Sequence, residues 1–286
     1  IKRFVADLEL EEAGIVGKVS GIDRNEDKSK LPGKDRQAEI TKKTEKVAVI
    51  GAGPAGLTAA HDLALLGFQV TVFEKLPVAG GMLAVGIPEY RLPRKVLDYE
   101  IKRITDMGVE IKLGVSINKD NGIDKLFEQG YKAVFIGVGA HGSMKLDVAG
   151  EELPGVMSGV DFLRKVKLNE STGVGKNIAI VGGGNVAIDA ARTAIRLGVE
   201  KVTVVYRRTR DEMPAHDWEI LEAEREGVEF KYLVSPVEIK AGADGRAASI
   251  RCIKNELGEP DESGRRRPVP VKGSEFDISA DTVIAA

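Results

Sequence analysis

From Lys46 onward the chain alternates short, continuously apolar runs with longer stretches whose apolar positions recur at helical spacing. "KVAVI" (46–50) is uninterrupted, as a strand buried on both faces of a parallel sheet must be. "GAGPAG" breaks that run, "LTAAHDLALLG" (57–67) has helical periodicity closed by Gly67, and "QVTVFEK" (69–75) returns to a strand. This is the pattern of a βαβ unit of about thirty residues. It recurs between Asn177 and Arg208 as "NIAIV", "GGGNVA", "IDAARTAIRLG" and "KVTVVYRR". Two such units, well separated along the chain, predict two dinucleotide-type folds. "SIRCIKN" (249–255) alternates with period two, which predicts a further strand.

Residues 1–45 break the pattern. A short helix-like piece, "IKRFVADLELEEAG", precedes a stretch of mixed charge with almost no apolar periodicity. A solvated arm or linker is the reading this composition supports. The expected organisation is therefore an arm at 1–45, a first domain at 46–150, a second at 151–280, and a strand at 281–286 that returns to the first domain.

Composition narrows the function classes. At 286 residues, 43% hydrophobic and 30% charged, the chain reads as an ordinary globular protein, and its formal charge of −2 gives no support to a nucleic-acid or membrane-surface partner. No apolar run has the length of a membrane span, and "IKRFVADLEL" lacks a signal core, so the expectation is a cytoplasmic protein. Cys252 is the only cysteine, which leaves no internal disulfide, CxxC pair or Cys-ligated cluster in these residues. The three histidines, His61, His141 and His216, have no ligand spacing, and no metal site is expected. No nucleophile–base pair or paired carboxylates stand out either.

The glycines carry the chemistry. Gly51, Gly53 and Gly56 form G-x-G-x-x-G between strand and helix, with Pro54 and Ala55 inside the turn. Such glycines serve a tight turn, backbone approach to a pyrophosphate, and close helix–strand packing, while the helix N-terminus presents N–H groups to the phosphates. Glu74 ends the next strand 23 residues after Gly51, where a carboxylate accepts from adenosine ribose hydroxyls. In the second unit Gly182, Gly183 and Gly184 lead to Ala187, a G-x-G-x-x-A version that also brings Asn185, Val186 and Asp189 to the helix start. Aligned on Gly67 and Gly198, Glu74 corresponds to Tyr206, followed by Arg207 and Arg208. A carboxylate there would repel a 2′-phosphate, whereas an arginine offers it a bidentate fork, so the second site is expected to prefer NADP(H). The competing reading is a solvated loop whose arginines pair with Asp211 and Glu212; Arg210 is as readily explained by an ion pair with a neighbour.

Further segments, "VAVIGAGPAGL", "GGMLAVGIPEYRLP", "AVFIGVGA", "GGGNVAIDAARTAIRLG", "YRRTRDEMPA" and "GEPDESGRRRP", span most of 46–286. On them the chain resembles the small (beta) subunit family of NADPH-dependent glutamate synthase. That group extends to the large subunit of NADH-dependent ferredoxin:NADP oxidoreductase and the flavin-binding portion of dihydropyrimidine dehydrogenase. The resemblance implies an α/β fold of two Rossmann-like dinucleotide-binding domains, the NADP domain inserted in the FAD domain. It implies that Lys75, the second glycine turn with Gly81, Met82 and Leu83, the loop with Ile87, Pro88 and Arg91, then Ile117, Gly137 and Gly139 help to hold FAD. It also implies hydride transfer from NADPH to FAD with no catalytic side chain, then electron passage to iron–sulfur clusters in missing sequence or a partner chain. The partner would be a large electron-accepting subunit or a ferredoxin-like protein, in a hetero-oligomer. The family's Gly-Asp flavin motif would follow residue 286, so the flavin domain is expected to be incomplete. On this resemblance the expected function is the electron-input subunit of a glutamate synthase, with a ferredoxin:NADP oxidoreductase-type flavoprotein subunit as the alternative and a non-catalytic nucleotide-binding scaffold as the competing expectation of another class.

Overall fold

A computed structural model describes Gly14 and residues 42–262 and 264–286. The expected arm thus lies outside the described residues apart from Gly14 and 42–45. The chain divides into two compact units, with the boundary between Ala140 and His141.

In the first unit β1 (Lys46–Ile50) leads through a glycine turn into α1 (Pro54–Leu65), and β2 (Gln69–Glu74) lies parallel to β1. Pro54 occupies the first turn, where its fixed φ suits a helix and its missing N–H costs nothing. Leu57, Ala60 and Ala64 face the sheet and pack with Val49, Val70 and Val72. The helix ends where Gly67 takes φ +87° and its N–H reaches the Ala64 carbonyl at 2.9 Å. Two helices follow, α2 (Met82–Val85) and α3 (Arg94–Asp106), then β3 (Glu110–Leu113), α4 (Ile123–Glu128) and β4 (Tyr131–Ile136). The sheet order is β3-β2-β1-β4, parallel throughout.

The second unit repeats the plan. β5 (Val156–Ser158), α5 (Gly159–Lys167), β6 (Asn177–Val181), α6 (Asn185–Arg196), β7 (Lys201–Tyr206), α7 (Asp217–Arg225) and β8 (Glu229–Tyr232) build a parallel sheet. Gly198 (φ +86°) closes α6 as Gly67 closes α1. An antiparallel sheet is added by β9 (Val234–Ala241), β10 (Ala247–Pro260), β11 (Arg266–Pro270) and β12 (Phe276–Ser279). Cys252 lies fully buried on β10, the strand its alternation predicts, and burial pushes its thiol up to about 12. The fold is thus mixed α/β with two parallel, Rossmann-like sheets.

Two expected boundaries move. Residues 141–150 belong with the second unit, because Leu146 and Val148 pack into its core and the Ile239 N–H donates to the Ala149 carbonyl at 2.7 Å. The terminal strand, β13 (Thr282–Ala285), does not return to the first sheet. It sits between β5 and β6, in parallel register with both and with Val283 and Ile284 fully buried. An apolar strand flanked on both edges satisfies its backbone there, which is why 281–286 completes the second sheet.

One ion-pair cluster fastens α6 to the residues after α7. Glu226 accepts from Arg196 (2.7 Å) and from Arg192 (2.6 Å), whose side chain is buried. The hydrogen bond from Arg196, reinforced by Arg192, holds the Glu226 carboxyl down to about 2 against an ordinary 4.5. Because the folded value lies below the unfolded one, this stabilisation is complete above about 4.5 and fades as pH falls toward 2. Glu226→Gln is expected to cost about 2 kcal/mol at neutral pH, since it removes the nearer of the two carboxylates paired with the buried Arg192 guanidinium. Urea denaturation at pH 7 and pH 3 checks this: the gap between wild type and variant should narrow at the lower pH, and a constant gap would contradict it.

Candidate functional site

In the first unit the geometry is set by main chain meeting main chain. Gly51 takes φ +101°, its N–H bonds the Phe73 carbonyl at 2.8 Å, and a Cβ on it would land on the Gly137 carbonyl. Gly137 in turn bonds the Ile50 carbonyl at 2.8 Å and lies under Gly56. Gly81 (φ +54°) meets Gly53 so closely that a Cβ would stand 2.7 Å from the Gly53 Cα, and the Gly80 N–H bonds the Ala52 carbonyl at 2.8 Å. The two glycine turns are thus locked face to face at the head of α1. Glu74, only 6% exposed, accepts from the Ala52 N–H and the Leu76 N–H, both at 2.8 Å. These bonds pin the carboxylate at the turn, where it retains acceptor capacity for hydroxyl donors.

This structure fits a dinucleotide pyrophosphate: small residues at the approach, helix amides ahead of it, and an acid at the ribose position. Gly51, Gly53, Pro54, Ala55, Gly56, Glu74, Gly81 and Gly137 meet there. Met82 and Leu83 begin α2, with Ile87, buried Pro88 and half-buried Arg91 just beyond it, while Lys75 is exposed beside Glu74. Ile117 instead packs against the Ala48, Ile50 and Phe73 cluster, and Gly139 (φ +67°) is exposed past β4.

The second unit holds a cavity of about 610 Å³ at the matching place, a size suited to a small ligand. Gly182, Gly183, Gly184 and Val186 line it, with Tyr206, Arg207 and Arg208. The Gly182 N–H bonds the Val205 carbonyl at 3.1 Å, the counterpart of Gly51 to Phe73, so Tyr206 stands where Glu74 stands. Tyr206, not a carboxylate, ends β7. The Tyr206 ring lies against Gly183, where a Cβ would come within 2.5 Å of it, and its hydroxyl donates to the Glu212 carbonyl at 2.7 Å. Asn185 is exposed at the first position of α6. Asp189, at 5% exposure, is buried and is not among the residues lining the cavity, so its expected binding role is withdrawn.

The arginines divide. Arg207 is exposed at the cavity and its carbonyl accepts from Asn255 Nδ2 at 3.1 Å. Arg208 is 3% exposed; its Nε donates to the Arg266 carbonyl and its Nη2 to Asp261 Oδ2, both at 2.7 Å. Its bidentate edge is therefore spent inside the protein, and the expected fork toward a phosphate is corrected for this residue. Burying a guanidinium demands such partners. Arg210 pairs with Glu224 at 2.8 Å. Glu212, the expected partner of the loop reading, instead caps the turn at Thr209. The sequence reading also missed Gly142–Leu146, Pro214, Val234–Pro236 and Arg265 as lining residues; of these, only Arg265 had a local signal, in the run of three arginines at 265–267.

Two strand–glycine turn–helix cradles define the class, a two-site dinucleotide-binding α/β protein. A family model for pyridine nucleotide-disulphide oxidoreductases matches residues 45–286, and the chain belongs to that family. Within it the relatives include glutamate synthase small chains and related NADPH oxidoreductase beta subunits. The chain is 48% identical over its whole length to the beta subunit of the NADP(+)-dependent formate dehydrogenase of Moorella thermoacetica, spanning 41% of that protein. It is 47% identical to the beta subunit of the NADPH-Fe(3+) oxidoreductase of Geobacter sulfurreducens (85% of this chain, 37% of the relative). To the Escherichia coli glutamate synthase [NADPH] small chain it is 38% identical (85% of this chain, 53% of the relative). It spans about half or less of these relatives. Mycobacterium tuberculosis FprA in complex with NADPH shares the fold at TM-score 0.72 and 21% identity, over 85% of this chain and 70% of that one. Among the described residues no helix is long and apolar enough to cross a membrane, and no cluster of three or more His, Cys, Asp or Glu is arranged to hold a metal ion.

Gly51→Ala is expected to cost roughly 1–3 kcal/mol, since alanine must hold a left-handed backbone with its Cβ against the Gly137 carbonyl. Thermal denaturation reads this, and an unchanged melting temperature would contradict the close approach.

Proposed function

We propose that the chain is the NADPH-oxidising portion of a flavin-dependent electron-transfer subunit, with FAD held by the first cradle and NADP(H) by the second. The observation that carries this reading is the contrast at one structural position: Glu74 after the first glycine turn, Tyr206 followed by Arg207 after the second. Gly51, Gly53, Gly56 and the head of α1 would take the flavin pyrophosphate, and Glu74 the ribose hydroxyls of its adenosine. Gly182, Gly183, Gly184 and the head of α6 would take the second pyrophosphate, and Arg207 the 2′-phosphate. Bound together, these cofactors supply hydride transfer, which is why no acid–base side chain is required. What the chain contributes is binding and orientation.

The electron acceptor is proposed as a redox-active partner chain or further sequence carrying iron–sulfur clusters, within a hetero-oligomer. Identity to the formate dehydrogenase and NADPH-Fe(3+) oxidoreductase beta subunits, 48% and 47%, exceeds that to glutamate synthase small chains, 38% and 41%. This favours a subunit exchanging electrons between NADP(H) and a metal-containing partner, with glutamate synthase as the second reading.

Two results test the proposal. Supplied with FAD, the chain should bind it, and anaerobic NADPH should bleach the visible band of the oxidised flavin. Failure to bleach a bound flavin would leave only a nucleotide-binding scaffold. Arg207→Glu is expected to weaken NADPH by about ten- to a hundredfold, the equivalent of roughly 1.5–3 kcal/mol for one charge-assisted contact, while leaving NADH nearly unchanged. Equal losses for both nucleotides, read by equilibrium titration, would remove the role of Arg207.

A further inference from the structure

The hairpin of β10 and β11 carries charge to the second cavity from a direction the glycine turn does not reach. Beyond β10 the Asp261 N–H donates to the Arg265 carbonyl at 2.8 Å, and the Gly264 N–H donates to the Asp261 carbonyl at 2.9 Å. Arg208 grips both limbs at once, through Asp261 on one and the Arg266 carbonyl on the other. The second oxygen of the same Asp261 carboxylate accepts from the Arg265 backbone N–H at 3.2 Å. The carboxylate thus links the buried guanidinium directly to the main chain of Arg265.

The three arginines of the tip are not equivalent. The Arg266 guanidinium turns back onto its own hairpin, donating to the Gly258 and Leu257 carbonyls at 3.1 and 2.5 Å. Arg265 lines the glycine-turn cavity together with Arg207, and both also border the adjoining hollow with Arg208, Arg267, Asp261 and Glu262. Asp261 is engaged by Arg208, and Arg207, Arg265 and Arg267 border this hollow together with Glu262. A doubly charged phosphomonoester is the ligand that three arginines converging on one hollow suit.

We propose that Arg265 is a specificity-determining contact for the 2′-phosphate of the second-site nucleotide, and that Arg208 is the positioning residue that holds it beside Arg207. The proposal rests on the reading of the second unit as an NADP(H) site and assigns that selectivity to two chain segments instead of one. Arg208 acts through Asp261 and the hairpin, not by touching the ligand.

The test is calorimetric titration of the 286-residue chain with 2′,5′-ADP, 5′-AMP and inorganic phosphate. Wild type should bind 2′,5′-ADP more tightly than 5′-AMP. Arg265→Ala should weaken 2′,5′-ADP by about ten- to a hundredfold and 5′-AMP by less than about threefold. Arg208→Lys keeps the charge and loses the two-limbed grip; it should weaken 2′,5′-ADP alone, and that loss should vanish in the Arg265→Ala background. Asp261→Asn opens the same latch from the hairpin side and takes its place if Arg208→Lys does not fold. Additive losses would overturn the positioning role, because Arg208 would then contact the phosphate itself. An Arg265→Ala variant that binds 2′,5′-ADP as wild type does, or loses both nucleotides equally, would overturn the specificity role. If Arg207→Ala still abolishes the discrimination in that case, the NADP(H) reading stands without Arg265. A wild type that does not discriminate, or that holds inorganic phosphate as tightly as 2′,5′-ADP, overturns both.

Discussion

A pyrophosphate can be bound by main-chain amides only where nothing larger than hydrogen separates the strand end from the helix head. That constraint shapes both units. In the first, Gly51 rests on Gly137 and Gly53 on Gly81, so three chain segments converge with no side chain between them. In the second, the turn closes on Ala286 and on the ring of Tyr206. The buried apolar strands and the helices α1 and α6 exist around these contacts; they fix the turn at a rigid sheet edge and aim the unpaired helix amides outward. On the proposed reading the amides do the holding, and they are indifferent to which dinucleotide arrives.

On the proposed reading, discrimination begins at the residue that ends the second strand and, in the second unit, is carried by the arginines near it. Glu74 and Tyr206 occupy that position in the two units, and the difference is one of charge. Glu74 is fastened by two backbone N–H donors and presents a carboxylate suited to hydroxyls. Tyr206 turns its hydroxyl to the Glu212 carbonyl and leaves the electrostatics to the arginines that follow. These again divide the work, Arg207 at the cavity and Arg208 buried in the hairpin latch. A buried ion pair is a poor device for stability but a sound one for fixing where one segment sits against another.

The sequence made the cradles legible because their requirements are local. Strand, glycine turn, helix and closing glycine follow one another within about thirty residues, and each step leaves a mark in residue type. The register equivalence of Glu74 and Tyr206 could be counted from Gly67 and Gly198 for the same reason. What could not be read depended on distant partners. Arg207 and Arg208 are adjacent and chemically alike, yet Asp261, fifty-three residues on, buries one and leaves the other at the cavity. Asp189 looked available at a helix start but faces the interior. The strand at 282–285 has the apolar pattern of any buried strand, and only its pairing with β5 and β6 assigns it to the second sheet.

Competition between the two cofactors tests the account most directly. The chain is loaded with FAD and titrated with NADP⁺, following flavin occupancy and nucleotide stoichiometry together. Two independent cradles of opposite charge preference should give one FAD and one NADP⁺ per chain, with no flavin displaced at saturating nucleotide. Displacement of FAD by NADP⁺, or saturation at a single nucleotide of either kind, would contradict it.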